Sequence, residues 1–223
     1  MKIKYLLVLA VLLIFNSYTW SQEQKGENVV LFFVPQYLVT NGIRLDIDLR
    51  KPDSNKWWII SPYYYSDGSS SSQLNPGSEY DYNPYAYEKM EGYGLGISRK
   101  IFVTKHSYKG LYASLGVTYR HFTLTGDNYN YVETIGEDGL TYFEMQDLKY
   151  TVNINSYNGF AIIGQQFNPF SKFYIDLFLG FGIKYSTHSS PEKVAIQYNR
   201  GNIDYGYSGT QFIAGARLGI ALF

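Results

Sequence analysis

Cysteine is absent from all 223 residues. The chain therefore has no disulfide framework, and it offers no thiol to which a lipid anchor could be attached. A surplus of positive charge is also missing, because 19 Lys+Arg stand against 19 Asp+Glu and no basic stripe occurs. Nucleic-acid-binding proteins need such a stripe to neutralise phosphates, so we expect no nucleic-acid partner.

Motifs for catalysis and for metal binding are missing as well. The histidines, His106, His121 and His188, stand apart, without a second ligand at metal-binding spacing. The sequence has no G-x-S-x-G motif, no glycine-rich phosphate loop and no D-x-D-x-D-G calcium loop. Ser114 and His121 have opposite parities, which argues against a nucleophile–base pair. We therefore expect no enzymatic activity, no cofactor and no metal ion.

Long hydrophobic runs are confined to the start of the chain. Lys2 and Lys4 precede an apolar stretch over residues 5–15, and polar residues follow it. This pattern predicts a secretory signal peptide over residues 1–21; a retained anchor helix is the alternative, but the stretch is short for one. The remaining residues, 22–223, are predicted to form one domain. They contain no run long enough for a membrane helix, so a membrane span there would have to be a closed β-barrel.

The sequence is rich in tyrosine, phenylalanine and glycine, with 24, 14 and 21 residues of each. The clearest pattern lies in residues 172–187, KFYIDLFLGFGIKYST, where large apolar residues alternate with polar residues and glycine. Alternate side chains of a strand point to opposite faces, so this segment has one apolar and one polar face. It is also longer than the ~9–11 residues that a tilted strand needs to cross a bilayer. It is therefore predicted to be a transmembrane β-strand.

Similar alternation divides the chain into eight predicted strands. They cover residues 26–34, 42–50, 57–65, 92–103, 111–120, 150–166, 172–187 and 206–223. In the sixth strand, Val152, Ile154, Phe160 and Ile162 are predicted to face outward. The predicted fold is an all-β, eight-stranded, antiparallel up-and-down transmembrane barrel.

The predicted connections alternate in length. Those after the second, fourth and sixth strands are short, whereas residues 66–87, 125–148 and 188–205 form long loops and residues 35–41 form a loop of modest length. Outer-membrane barrels have an even number of strands, short periplasmic turns and longer outer loops. The alternation therefore predicts that both chain termini lie on the periplasmic side.

Charged residues occur at positions that are predicted to face the interior. They are Arg44, Asp46, Asp48, Lys100, Arg120, Asp176, Lys184 and Arg217. An eight-stranded barrel is only wide enough for its side chains to fill it. Because buried charges need partners, the mixed signs favour a network that plugs the interior. The alternative is a narrow polar conduit.

The chain resembles the small outer-membrane β-barrel proteins typified by the OmpA transmembrane domain and by OmpX. The resemblance is carried by the strand pattern and by the C-terminal segment GARLGIALF, which ends in the aromatic Phe223. The segment VPQYLVTNGIRLDIDLRK is similar to small barrels of Bacteroidetes-type outer membranes. The resemblance implies an integral protein of the Gram-negative outer membrane, in contact with its lipid. It also implies that the barrel-assembly machinery reads Phe223 as a signal.

Three functions remain open from the sequence. Loops 66–87 and 125–148 combine tyrosine with Ser, Gly and Asn, a composition that makes adaptable contact surfaces. They favour a structural or adhesion-like surface-interaction role, and the protein is expected to be a monomer. A narrow passive pore is the first alternative. A secreted soluble barrel that binds a small apolar ligand is the second, but it would need an apolar interior.

Overall fold

This computed structural model describes residues 29–50, 54–68, 87–103, 109–136, 139–170, 172–190, 198 and 204–222, without the side chains of 127–134 and 143–148. The predicted signal peptide, residues 1–21, lies outside the described residues. The proposed assembly signal Phe223 and most of loop 66–87 also lie outside them.

Eight strands form the protein. They are β1 (Val29–Phe33), β2 (Gly42–Arg50), β3 (Lys56–Asp67), β4 (Lys89–Phe102), β5 (Gly110–Ile135), β6 (Thr141–Phe170), β7 (Phe173–Ser189) and β8 (Gly209–Ala221), with a 3₁₀ helix over Pro35–Thr40 between β1 and β2. Each strand pairs antiparallel with the next, and β8 pairs with β1. The predicted eight-stranded closed barrel, with the architecture of small outer-membrane barrels, is confirmed. None of the described helices is long and apolar enough to cross a membrane.

The strands are tilted, as the registers show. Leu31 leads from pair to pair through Ile47, Ile60, Ile97, Val117, Gly159 and Ile183 to Thr210. The β8–β1 register would return from Thr210 to position 41, ten positions after Leu31. A stagger of this size in an eight-stranded barrel corresponds to a strand tilt of about 40°.

Alternation along each strand separates the two faces. On β4, Leu95 and Ile97 are exposed on the outside, whereas Gly96 and Ser98 are buried inside. The outward face carries large apolar side chains on β2 to β8, among them Leu115, Ile163, Leu179 and Ile220. The pleat thus places an apolar surface around a mixed interior.

A row of tyrosines encircles much of the barrel near one end. Tyr64 pairs with Tyr93, and Tyr119 pairs with Tyr157, which pairs in turn with Tyr185. All five side chains point outward and are exposed; they are called the tyrosine belt below. The end of the barrel nearer this belt, which holds the β1–β2, β3–β4, β5–β6 and β7–β8 connections, is called the outer end, and the opposite end is the inner end.

The predicted facing of the sixth strand was wrong. Val152 and Ile154 are buried inside the barrel, and Phe160 and Ile162 also face inward, whereas Tyr157 is exposed on the outside. This strand carries apolar residues at both parities, so alternation did not identify the outer face. Outward, near the outer end, it instead presents the polar residues Asn153 and Asn155.

The predicted long loop over residues 125–148 was also wrong. β5 continues to Ile135 and β6 begins at Thr141, and their pairing runs without a break from Ile135↔Thr141 to Gly110↔Gln166. The turn signal Gly136-Glu137-Asp138-Gly139 marks the connection, whereas Gly126-Asp127-Asn128 lies inside β5. The sixth strand likewise runs to Phe170, beyond its predicted end, with an irregular register between Phe167 and Phe170.

Candidate functional site: the barrel interior

A buried group of charges occupies the middle of the barrel. It consists of Arg44, Asp46, Asp48, Lys100, Asp176 and Arg217 and is called the charge cluster. Asp46 and Asp48 are consecutive inward positions of β2, and Asp176 lies directly across from Arg217 in the β7–β8 pair. The strand pleat therefore brings four strands' charges to one level.

Arg217 and Lys100 hold the three aspartates together. Arg217 Nη1 donates to Asp46 Oδ2 at 2.9 Å and to Asp48 Oδ1 at 3.2 Å, and its Nη2 donates to Asp176. Lys100 Nζ lies 3.1 Å from Asp48 Oδ2 and 2.8 Å from Asp176 Oδ2. Each bridging cation thus contacts two or three carboxylates.

A third cation and two neutral side chains complete the contacts of the charge cluster. Arg44 donates two hydrogen bonds to Asp46, from Nε to Oδ1 at 2.6 Å and from Nη2 to Oδ2 at 2.9 Å. Lys100 also donates to Gln166 Oε1 at 2.6 Å, and Tyr112 OH donates to Asp176 Oδ1 at 2.6 Å. Three cations balance three anions, so the cluster is neutral; burial of charges is tolerated when they are paired in this way.

Apolar side chains fill the interior between the charge cluster and the inner end. Val30, Phe32, Trp57, Phe102, Tyr112, Tyr174 and Ala221 form one buried group. Lys100 Nζ lies 4.2 Å from the ring centroid of Tyr112 and 5.3 Å from that of Phe102, close enough for cation–π attraction. The charge cluster and this group together fill the inner half with side chains.

The outer half of the interior contains a cavity of about 480 Å³, called the outer cavity. The side chains of Arg120 and Lys184 line it, away from the charge cluster. Arg120 Nη1 donates to Tyr65 OH at 3.3 Å, and Lys184 Nζ donates to the Asp204 carbonyl at 2.7 Å. Of the eight charged residues predicted for the interior, the structure places six in the charge cluster and these two at the cavity.

A second apolar group, the outer apolar cluster, closes much of the interior at the outer end. It comprises Tyr63, Tyr65, Met90, Phe122, Leu124, Tyr150, Val152, Ile154 and Tyr198, with Tyr37, Tyr87 and Tyr205 packed against it. This group was not predicted from the sequence, because Val152 and Ile154 were expected to face outward. The sequence did contain a signal for it, because Phe122 and Leu124 share a parity with Arg120, which was predicted to face the interior. In the structure, the β5–β6 register places Ile154 opposite Phe122.

Tyrosines beyond the strands belong to the same group. Tyr198 OH lies 3.0 Å from Tyr150 OH, and the Tyr87 ring centroid lies 6.2 Å from that of Tyr198. Tyr87 also donates to Asp67 Oδ2 at 3.1 Å. Burial raises the pKa of Tyr87, Tyr198 and Tyr205, because a phenolate would lose its hydration there.

The described part of the chain has no group of three or more His, Asp or Glu residues placed to hold a metal ion. His121 lies on the outside of β5, where its Nδ1 is 2.9 Å from Asn155 Oδ1, whereas Ser114 is buried inside the barrel. These two side chains are therefore on opposite faces of one strand. His106 lies outside the described residues.

Comparisons with known proteins add one distant likeness. No protein-family model matches the chain, and no curated protein sequence matches it. Among solved structures, the chain is similar to the crystal structure of Acinetobacter baumannii CarO, with a TM-score of 0.40 and 10% sequence identity. The match covers 90% of this chain and 100% of that chain.

Proposed function

We propose that this protein is a monomeric, non-conducting barrel of the Gram-negative outer membrane that acts at the cell surface through its outer end. The observation that carries the proposal is the filling of the inner half, where a neutral charge cluster and an apolar group occupy the lumen. A conducting pore would need a continuous aqueous path through that half.

Membrane residence is supported by the outside of the barrel. From Leu111 to Tyr119, β5 rises about 26 Å along its own direction, which the tilt reduces to about 20 Å. From Phe167 to Tyr157, the corresponding height on β6 is about 25 Å. An apolar band about 20–25 Å tall with an aromatic border matches a bilayer-spanning barrel. The same apolar surface argues against the alternative of a secreted soluble barrel.

Surface interaction is supported by the β5–β6 hairpin. Both strands continue beyond the tyrosine belt, past Tyr119 and Tyr157, to a connection at residues 136–140. Near that tip, Ile135 is 79% exposed, Leu140 is 61% exposed and Tyr142 is 47% exposed. Exposed apolar residues grouped at the end of a projecting hairpin are typical of a contact surface. Because Ser114 and His121 lie on opposite faces, the proposal includes no hydrolase role.

A binding assay on cells tests the surface role. The triple variant Ile135→Ser, Leu140→Ser, Tyr142→Ser removes the apolar tip and leaves the barrel intact. We expect cells carrying it to lose attachment to host-cell and glycan arrays, while the control variant Lys149→Gln, lower on the same hairpin, attaches like the parent protein. Equal attachment by all three proteins would contradict a surface role for this hairpin.

Single-channel recording in planar bilayers tests the closed lumen separately. We expect no stable conductance steps from the refolded protein. The variant Asp48→Ala, Lys100→Ala, Arg217→Ala removes half of the charge cluster, but the apolar group still fills the inner end, so it should stay closed as well. A porin that conducts is the positive control. Reproducible steps from the unaltered protein would establish the narrow pore instead.

A further inference from the structure

The wall of the barrel is incomplete between β8 and β2. β1 ends at Phe33, opposite Leu218, so β8 residues 209–217 extend beyond the last β1–β8 pair. On their other side these residues pair regularly with β7, from Arg217↔Asp176 to Gly209↔Lys184. No backbone hydrogen bond joins residues 34–41 to residues 209–216 within the described chain. This interruption is called the side gap.

The 3₁₀ helix Pro35–Thr40 stands in the side gap without sealing it. None of its residues is buried, and the apolar Val39 is 86% exposed. Gln36 reaches across and contacts β8 at Gly215, where a Cβ would collide with the Gln36 amide. On β8, Phe212 faces outward and pairs with Phe181, just below Tyr185 of the tyrosine belt. The gap therefore opens within the outer part of the apolar band.

The outer cavity lies directly behind the side gap. Its lining includes residues from both borders, Gln36 and Val39 from the helix and Gln211 and Ile213 from β8. Its volume, about 480 Å³, falls in the range of ~300–1,000 Å³ that small-molecule sites occupy. The interior is thus connected sideways to the level of the membrane's outer leaflet.

The lining of the cavity is amphipathic, with a surplus of positive charge. Phe160, Ile162, Phe178 and Ile213 supply apolar walls. Arg44, Arg120 and Lys184 line the cavity without any lining carboxylate, and of these only Arg44 belongs to a described salt bridge. Asp204, on the segment between β7 and β8, accepts a hydrogen bond from Lys184 Nζ at its backbone carbonyl but does not line the cavity.

Two buried polar atoms of the lining residues have no hydrogen-bond partner among the described residues. They are Arg120 Nε and Asn158 Oδ1, and Asn158 is only 9% exposed. A buried polar atom without a partner costs free energy, which a ligand group or a bound water can recover. Arg120 Nε, with Lys184 on the neighbouring side of the cavity, offers donors for an anion.

We propose that the outer cavity binds a single hydrocarbon chain with an anionic head, and that this molecule passes from the outer leaflet through the side gap. The head contacts Arg120 and Lys184, and the chain lies against Phe160, Phe178 and Ile213. The inference rests on the proposed membrane residence. It is independent of the closed lumen and of the hairpin tip.

Photo-crosslinking in nanodiscs of neutral phosphatidylcholine tests the site. A C18 fatty acid with a diazirine near its methyl end is irradiated with the protein, and labelled residues are located by mass spectrometry. We expect labels on Phe160, Phe178 or Ile213, inside the barrel, and about tenfold less interior labelling with the matching neutral C18 alcohol. Labels on outward residues alone, such as Leu179 and Phe181, would overturn the site.

Charge variants test the head group. Arg120→Gln with Lys184→Gln is expected to reduce interior labelling about tenfold, whereas Lys89→Gln, at an exposed cation, leaves it unchanged. Each variant is first checked for the change in gel migration on boiling in SDS that marks a folded barrel. Undiminished interior labelling of a folded double variant would overturn the anionic head group.

A reversible chemical cross-link tests whether the ligand passes through the side gap. The chain has no cysteine, so Gln36→Cys and Gly215→Cys can be bridged specifically with a short bis-thiosulfonate. We expect interior labelling to fall when the bridge is formed and to return after reduction. Unchanged labelling with the bridge in place would overturn passage through the gap.

The same nanodiscs separate the source of the ligand from the membrane question. A second probe carries the diazirine in the single chain of lysophosphatidylglycerol; interior labelling by it identifies a membrane phospholipid as the source, and labelling by the fatty acid alone identifies a free acid. Both results support the anionic amphiphile. Failure of the protein to enter nanodiscs contradicts the proposed function itself, whereas insertion with exterior labels only contradicts the cavity proposal alone.

Discussion

The two halves of the barrel interior differ in how their buried charges are paired. The charge cluster brings three cations to three carboxylates and is neutral. The outer cavity is lined by Arg120 and Lys184, with Arg44 of the charge cluster at its border, and none of its described lining residues is a carboxylate. Both halves use the same inward parity of the strands. The difference shows that the pleat decides which side chains face inward, whereas the partners on neighbouring strands decide whether a charge stabilises the interior or leaves it ready for a ligand.

The same substitution at two lysines should give the largest contrast. Lys100→Met leaves Asp48 and Asp176 with Arg217 as their remaining cation, and the expected loss of unfolding free energy is about 3–5 kcal/mol. Among the described contacts, Lys184→Met removes one hydrogen bond, to the Asp204 carbonyl, and the expected loss is about 1 kcal/mol. Urea unfolding in phospholipid vesicles, followed by Trp fluorescence, measures both. Similar losses for the two variants would show that the halves do not differ.

Packing in the outer half can be tested with a pair of isoleucines. Ile154 is fully buried in the outer apolar cluster, so Ile154→Ala should lower the unfolding free energy by about 2–4 kcal/mol. Ile135 is 79% exposed at the hairpin tip, and Ile135→Ala should change it by less than about 0.5 kcal/mol. The same urea titration compares them. A small loss at Ile154 would mean that this cluster contributes little to the barrel.

Alkaline pH should weaken the outer half selectively. The pKa of Tyr87, Tyr198 and Tyr205 is raised by burial, so these phenols keep their protons in the folded protein when the unfolded chain has lost them. Their contribution is present below about pH 10, the unfolded pKa, and is lost as the pH rises through the folded values. The urea midpoint should therefore fall above about pH 10. The triple Tyr→Phe variant at these positions should show a shallower decline, and an identical decline would contradict the assignment.

The smallest effect is expected at an exposed ion pair. Lys89 Nζ lies 2.8 Å from Glu91 Oε1, as close as many contacts in the charge cluster, but both side chains are exposed. Glu91→Gln should leave the urea midpoint unchanged because water and salt screen the pair. Asp176→Asn, in the charge cluster, provides the comparison. A loss at Glu91 comparable to that at Asp176 would mean that distance, rather than burial, sets the strength of these pairs.

Strand number and the apolar outer surface were predictable because alternation is a local property of the sequence. In β7, large apolar residues hold one parity with Phe178 as the exception, and the structure places Phe178 inside the barrel, at the outer cavity. Alternation failed in β6, where Val152 and Ile154 face an apolar interior rather than lipid. Above the tyrosine belt the outside of a barrel faces water, so apolar residues there belong inside.

Two further features depended on information that the sequence does not carry locally. The charged residues of the charge cluster and the outer cavity were all predicted to face inward. Which of them form the neutral cluster and which line the cationic cavity follows from the registers of β2, β4, β7 and β8. The side gap arises because β1 ends at Phe33 and the following Pro35 begins a 3₁₀ helix. Proline at that position was visible, but its effect on the β1–β8 seam needed the register.

The short seam has a consequence for the order in which the barrel forms. Among the described residues, the β1–β8 register has four pairs, from Val30↔Ala221 to Phe33↔Leu218, and one further backbone bond joins Leu222 N to the Val29 carbonyl. These two segments are separated by most of the chain, whereas the other neighbouring strands are joined by nearby connections. Closure of so long a segment is slow compared with hairpin formation, so the seam should be the last contact made and the first to open. Arg217 of β8 reaches past β1 to Asp46 and Asp48 of β2. The charge cluster therefore stabilises the β1–β8 seam from inside the barrel. Removal of the cluster should accelerate unfolding more than it slows folding.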